Sequence, residues 1–535
     1  MSENLIQMNF DNSFVRELKG DPERENRRRQ VMGACYSHVE PTPVSNPKAL
    51  IWSDDMMERL GIDLEAWGID TFSKVFSGNQ LLPGMTPVAS CYGGYQFGSW
   101  AGQLGDGRAI SLGEVVESDT RWEVQLKGAG PTPYSRMGDG RAVVRSSVRE
   151  FLCSEAMHAL GVPTTRALSL VATGDQVLRD MFYDGNAAYE AGAIVCRAAP
   201  SFLRFGHFEI LAAQKDKDLL KRLVDYTIST HFPELGAVGE EETYLKWFQE
   251  VCRRTADMIV HWTRVGFVHG VMNTDNMSVL GLTIDYGPYG WLEVYDGSWT
   301  PNTTDAGQRR YSFGNQAQIA MWNLARFAES LTSLITDTKK LEASILSEYG
   351  DRFTTTHKEM ALLKIGITDV RAEEDDALLE GLGKCLRLVE TDMTWFYRKL
   401  ADVCVEQVEI DKLTSSELMQ PLKEAWFQPN DISSEHQEII SQWLRLYMKR
   451  LAEEKRSDAE RKALMNRTNP KYVMRNYLAQ LAIEALEAGD SSVLHELMEV
   501  MKQPYAEQPD FERFAEKMPN WARDKAGCSM LSCSS

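Results

Sequence analysis

The sequence predicts an α+β fold of two lobes, a strand-rich first half and a mainly helical second half, closing on a cleft and carrying an extension at either end. Three observations lead there. The run Trp122–Lys127, WEVQLK, alternates apolar and polar residues with the period of a half-buried strand. From about Leu211 onward apolar residues recur at helical spacing, as in YLKWFQEVCRRTADMIVHWTRVG, IAMWNLARFAESL and VMRNYLAQLAIEALEAG. Between the two patterns, the stretch Val265–Gly287 gathers His269, Asn273, Asp275, Asn276 and Asp285.

The composition fits a globular chain with ample core: 535 residues, 43% hydrophobic and 25% charged. A formal net charge of -19 opposes general attraction to nucleic acid or to an anionic membrane, so neither is expected as a partner. The one basic run, RENRRR at Arg24–Arg29, reads as a solvated helix face. No stretch has the length of a membrane span, and the first residues lack the basic start and apolar centre of a signal peptide; a cytoplasmic protein is expected. Of the nine cysteines, Cys35, Cys91, Cys153, Cys196, Cys252, Cys385 and Cys404 are scattered without metal-ligand spacing and are expected as reduced core thiols. Cys528 and Cys533 lie in a tail of small residues and are expected to be exposed and redox-sensitive.

Residues 1–80 read as a wrapping extension, with Ser53 capping a short helix whose Met57 and Leu60 face inward. Residues 81–207 form the strand-rich lobe. It opens with a glycine-rich segment holding Gly93, Gly94, Gly98, Gly102, Gly105, Gly107 and Gly113. Such a segment serves either tight turns or the close approach of backbone amides to a ligand, and Arg108 adds a charge suited to phosphate. Lys127 ends the strand that follows. Next, Val144, Val148, Leu152, Ala156 and Leu160 mark one face of a helix stopped by Gly161 and Pro163, with Glu150 on another face. A further strand-like run carries Arg197 and Arg204, which suit either phosphate or surface ion pairs. Residues 208–503 form the helical lobe and 504–535 a tail.

Within Val265–Gly287 the apolar pieces of Met277–Ile284 flank Gly281 and read as two strands of a hairpin. That would let Asn276 and Asp285 approach one hard divalent cation from two sides. The pattern compares with protein kinases, where HRDxxxxN is followed by DFG and a strand lysine pairs with a helix glutamate. Asp285-Tyr286-Gly287 fits the second motif, and Lys127 followed by Glu150 fits the order of the ion pair. HGVMNTDN fits the first only in part, because Val271 stands where a kinase has its catalytic Asp. No GxxxxGK[ST], HExxH, CxxC or GxSxG motif is present.

GQLGDGRAISLGE, QLKGAGPTPYSRMGDGRAVVRSSVREFLCSEAMHALG, FLRFGHFE, HGVMNTDNMSVLGLTIDYGPYGWLEVYD, NTTDAGQRRYSFGNQ and NPKYVMRNYLAQ, in this order, resemble motifs of the selenoprotein O (SelO) family. The resemblance implies a protein-kinase-like fold and a protein adenylyltransferase that takes ATP and Mg2+ or Mn2+. AMP would pass to Ser, Thr or Tyr hydroxyls of protein substrates, with ATP held reversed relative to kinases. It implies Gly105, Gly107 and Arg108 as nucleotide-loop positions, Lys127 as the kinase-type lysine and Glu150 as its partner. Asp139, Gly140, Arg197 and Arg204 become further ATP contacts, Asp275 the catalytic base, and Asn276 and Asp285 the metal ligands, Asp285 also touching ATP. Where eukaryotic members carry selenocysteine near the terminus, this chain has Cys533 or its neighbour Ser532. A phosphotransferase moving the γ-phosphate and a nonenzymatic ATP-binding pseudokinase are the alternatives.

Overall fold

The run ending at Lys127 is the middle of an antiparallel sheet. In the computed structural model, which describes residues 8–181 and 184–532, ten strands lie in the first half: β1 (Tyr36–His38), β2 (Lys48–Trp52), β3 (Val88–Ser90), β4 (Gly93–Gln96), β5 (Ser99–Gln103), β6 (Ala109–Glu117), β7 (Thr120–Lys127), β8 (Ala142–Val143), β9 (Arg166–Arg179) and β10 (Ala188–Ala199). The main sheet runs β1-β3-β6-β7-β10-β9-β2, with β8 added against β10. Strands β4 and β5 form a separate hairpin. Thus β1 and β2, both within residues 1–80, furnish the two edges of the sheet.

One face of the sheet packs on the N-terminal helices through Met56, Phe72 and Phe76. The other receives the helix Val144–Ala159, whose core runs without a break into the helical half through Phe208, Trp247, Phe267 and Phe327. A second helical core, around Leu386, Phe396, Trp443 and Tyr447, forms beyond it. No helix among the described residues is long and apolar enough to cross a membrane.

WEVQLK is buried on both faces, Gln125 and Lys127 included, because its polar face meets partners from β10 and the Val144–Ala159 helix rather than water. Ser53 does cap its helix, accepting from the Met56 amide, but Met56 is the fully buried methionine while Met57 is only partly buried. Arg24–Arg29 is irregular rather than helical, and Arg29 turns inward to Asp21 at 2.6 Å. Cys404 is exposed, whereas Cys528 is buried, its carbonyl accepting from Asn476 Nδ2 at 2.8 Å, and burial pushes its thiol up to about 11. The tail therefore docks as far as Leu531, which bridges to Asn302. Cys533 lies outside the described residues.

The expected hairpin at Met277–Ile284 is absent. Ser278 bridges to Arg204 and Thr283 to Thr164, so the two apolar pieces pair outward, away from each other. Gly281 turns between them at φ +69, where an added Cβ would stand 2.9 Å from the Arg254 carbonyl oxygen. The antiparallel pair that closes this loop lies further out, β11 (Phe267–Val268) on β12 (Gly290–Trp291).

Candidate active site

Register explains how the buried charges meet. In β7 and β10, Gln125 faces Arg197 and Lys127 faces Val195, so Lys127, Gln125 and Arg197 project from one side of the sheet. That side is covered by the Val144–Ala159 helix. Glu150 takes Lys127 Nζ at 2.6 Å on one oxygen and Arg197 Nη1 at 2.9 Å on the other. Arg197 also reaches Gln125 and one oxygen of Asp285, and Arg204 holds the other oxygen of Asp285. Arg204 precedes the helix Phe205–Ala213, lies 4.7 Å over the Tyr92 ring and donates to the Asp275 carbonyl at 2.9 Å.

The electrostatics follow from these contacts. Burial alone would raise Asp285, but Arg204, Arg197 and Lys127 together hold it well below the usual carboxylate range. Asp285 sits at φ +56, a conformation rare outside glycine, and the two guanidiniums fix it there. Lys127 moves down from its ordinary value because burial outweighs the pull of Glu150.

Asp275 lies in a short turn, Thr274–Asn276, beneath the β4–β5 hairpin. Its Oδ2 accepts from Gln96 Nε2 at 3.2 Å, while Oδ1 is buried with no hydrogen-bond partner. Burial pushes Asp275 up to about 6, against Arg204 and Gln96. The hairpin comes so close that a Cβ on Gly94 would stand 2.6 Å from that free oxygen. The Tyr95 amide donates to Thr274 Oγ at 2.8 Å, and the Phe97 amide and the Tyr311 hydroxyl donate to Asn273 Oδ1 at 3.2 and 2.6 Å. Below the loop, Thr274 Oγ donates to Glu209 at 2.6 Å; burial pushes that carboxyl up to about 8. His269 is buried and donates from Nε2 to the Ile284 carbonyl at 2.9 Å, tying the two ends of the loop together.

Lys127, Glu150, Arg197, Arg204 and Asp285 are thus in one network, with Asp275 and Asn276 on the adjoining loop. Gly105 and Gly107 lie against Tyr134: a Cβ on Gly105 would stand 2.4 Å from the Tyr134 ring and one on Gly107 2.9 Å from its carbonyl oxygen. Arg108, half-buried, is close enough for its charge to act on Lys127. Asp139 joins none of these contacts; its carboxylate takes Arg179 at 2.8 Å and the Arg141 amide at 2.9 Å. Gly140 packs on Gly130, whose carbonyl oxygen would be 2.1 Å from an added Cβ.

Gln96, Glu209 and Tyr311 are not singled out by the sequence, and Gly94 reads there only as one member of the glycine-rich segment. The pair Gly93-Gly94 was the available signal, since adjacent glycines before a polar residue mark a place where backbone must come close to something.

The oxygen donors are of the kind a hard divalent cation takes: Asn276 donates from Nδ2 to the Val271 carbonyl at 2.9 Å, which leaves Oδ1 free, and Asp285 supplies charged oxygens on the same loop, one also taking Arg197 and the other Arg204. No group of three or more His, Cys, Asp or Glu suited to a metal occurs among the described residues. Two protein oxygens completed by phosphate oxygens is the usual arrangement for a magnesium-sized ion carried with a nucleotide.

A family model described as protein adenylyltransferase SelO matches residues 23–502. Relatives named protein nucleotidyltransferase YdiU align over nearly the full length. The protein from Nitrosospira multiformis is 55% identical, covering 99% of this chain and 97% of its own. That from Rhodopirellula baltica is 53% identical, covering 99% of each. That from Methylobacillus flagellatus is 55% identical, covering 99% of this chain and all of its own.

Proposed function

The chain belongs to the SelO family of protein adenylyltransferases, and from that premise we propose that it transfers AMP from ATP to a Ser, Thr or Tyr hydroxyl of a cytoplasmic protein, releasing pyrophosphate. The carrying observation is the convergence of Lys127, Arg197 and Arg204 on only two carboxylates, Glu150 and Asp285, beside the unpartnered Oδ1 of Asp275. Three cations against two anions leave one positive charge for a polyphosphate, and a buried base stands next to it. The reading takes the fold as kinase-like, with lobes at 81–207 and 208–503.

In this reading Asp275, ionised above about pH 6, accepts the acceptor's hydroxyl proton. The hydroxyl oxygen bonds to the α-phosphorus as the bond from that phosphorus to the bridging β-oxygen breaks. Lys127, Arg197 and Arg204 neutralise the departing pyrophosphate, and Glu150 keeps Lys127 and Arg197 in place. Asn276 Oδ1 and Asp285 would hold magnesium or manganese, which supplies further charge neutralisation on the phosphates. Gly105, Gly107 and Arg108 line the phosphate end, and Asp139 and Gly140 contact the nucleotide at the rim.

The test is the purified chain with a protein acceptor and ATP labelled at either the α- or the γ-phosphate. Label from the α-position alone, with a mass gain of one adenylate, supports the reading. Label from the γ-position establishes phosphotransfer, and none from either despite ATP binding establishes a binding protein.

A further inference from the structure

The hairpin that covers Asp275 continues into an open surface. Its outer residues Ser99, Trp100 and Ala101 are exposed. Tyr95 packs edge-on against Trp322 at 5.7 Å and against Trp100 at 5.2 Å, which joins the hairpin to the helix Gln316–Leu331. Two guanidiniums lie on this aromatic platform: Arg310 over Trp322 at 4.7 Å and Arg326 over the same ring at 5.2 Å. Arg310 also borders the hairpin tip, 3.6 Å from where a Cβ on Gly98 would stand.

The charges here are not spent alike. Lys127, Arg197 and Arg204 share Glu150 and Asp285, and Arg326 reaches Glu329 at 2.7 Å. Arg310 has no carboxylate within 4.0 Å among the described residues, and its Nε is buried without a hydrogen-bond partner. Asp305 is near, but its two oxygens accept the Arg310 and Tyr311 amides at 2.9 and 2.7 Å. On a chain of net charge -19, a half-buried guanidinium held over an indole, with no acid of its own, has the construction of an anion subsite. The aromatic surround excludes water from one side of it, which strengthens an incoming charge pair.

We infer that the surface of Tyr95, Trp100, Trp322, Arg310 and Arg326 docks the protein acceptor by an acidic residue flanking the hydroxyl to be modified. The inference rests on the AMP-transfer reading for its occupant and on the structure for its chemistry. Through Phe97 and Tyr311 the same surface is tied to Asn273 in the loop of Asp275, so a segment bound there lies beside the base.

Fluorescein-labelled decapeptides with one Tyr flanked by Glu, or by Lys, test it by anisotropy with the full chain, alongside α-label transfer to the same peptides. The Glu-flanked peptide is expected to bind about tenfold more tightly, as one desolvated charge pair allows, and less so as salt is raised. Arg310→Glu should reverse the preference and Arg310→Lys keep part of it, with ATP affinity unchanged. Arg310→Gln carries the same test, as loss of preference, should circular dichroism show the reversal variant unfolded. Equal binding of both peptides, a preference that persists in the Arg310 variants, or a parallel fall in ATP affinity overturns the inference. Because binding is read apart from transfer, a Glu preference without any transferred label leaves the docking surface standing and removes the transferase reading instead.

Discussion

Two of the buried clusters of arginine and carboxylate among the described residues balance their charges in opposite ways. At the candidate site Lys127, Arg197 and Arg204 share Glu150 and Asp285, an excess of one cation. In the helical half Arg475 lies between Glu293 and Asp392, the latter at 2.9 Å, an excess of one anion. Arg475 precedes the helix Asn476–Glu487 and Asp392 caps the helix Met393–Leu400, so the second cluster joins helix ends. Burial pushes Glu293 up to about 7, with Arg475 opposing and Asp392 adding to the rise. A cluster with surplus negative charge is completed by a proton from water; one with surplus positive charge needs an anion brought to it. The difference separates a fastening from a binding site, though both hold guanidiniums that are almost wholly buried.

The largest effect that sharpens this contrast is at Asp285. Asp285→Ala should abolish transfer of α-label and weaken metal-dependent ATP binding, with the circular dichroism spectrum retained. Asp392→Ala should do the reverse, costing about 1–2 kcal/mol of stability through the lost cap of Met393–Leu400 and one lost partner of Arg475, which keeps Glu293, while the folded fraction stays active. If Asp392→Ala lost activity at unchanged melting temperature, the division of roles would be wrong. Next, Asp275→Ala should keep most ATP affinity and lose about 100- to 10,000-fold in rate, read as a kcat effect by single-turnover transfer.

Lys127→Ala should cost activity heavily, and Glu150→Gln less, because an amide can still accept from the amine. Wild-type turnover in both would mean the pair at 2.6 Å serves packing alone. The smallest effect concerns pH. Glu293 has a raised folded-state value, so its contribution to stability is complete below its unfolded value of about 4.3 and is lost as pH rises through about 7. Glu293→Gln should flatten that dependence, and melting curves from pH 5 to 8 should show the wild type falling by a few degrees relative to the variant. Parallel curves would place the excess charge elsewhere.

What could be read in the sequence was local. Lys127 at a strand end, Glu150 on the following helix and the Asp275 loop are each marked by a period or a motif, and the structure brings Lys127 and Glu150 into contact. Arg197 and Arg204 were legible as cations but not as partners of Asp285, since nothing in a single sequence says which acid a buried arginine will meet. Gln96 is illegible for the same reason: its partner, Asp275, is supplied by a distant loop. Met277–Ile284 misled because two apolar pieces around a glycine satisfy the pattern of a hairpin, while Arg204 and Thr164 competed successfully for their backbone. The tail misled because small residues suggest freedom, whereas Pro301, Thr303 and Asn476 provide it with hydrogen bonds.

The central sheet also dictates an order of events during synthesis. Strand β2 emerges from the ribosome early, yet Lys48 pairs with Ala172 and Trp52 with Ser169. Strand β7 is likewise made before β10, which holds it on one side. A nascent chain that has passed Lys127 but not Arg166 therefore exposes an unpaired edge at β7 and a stranded β2, the condition in which β-rich intermediates associate wrongly. The arrival of β9 pairs β2, and that of β10 then pairs β7 and brings Arg197 into register beside Lys127. Lys127 and Arg197 are thus set side by side by the same strand that pairs the open edge of β7, while Arg204 and Asp285 are still to be made.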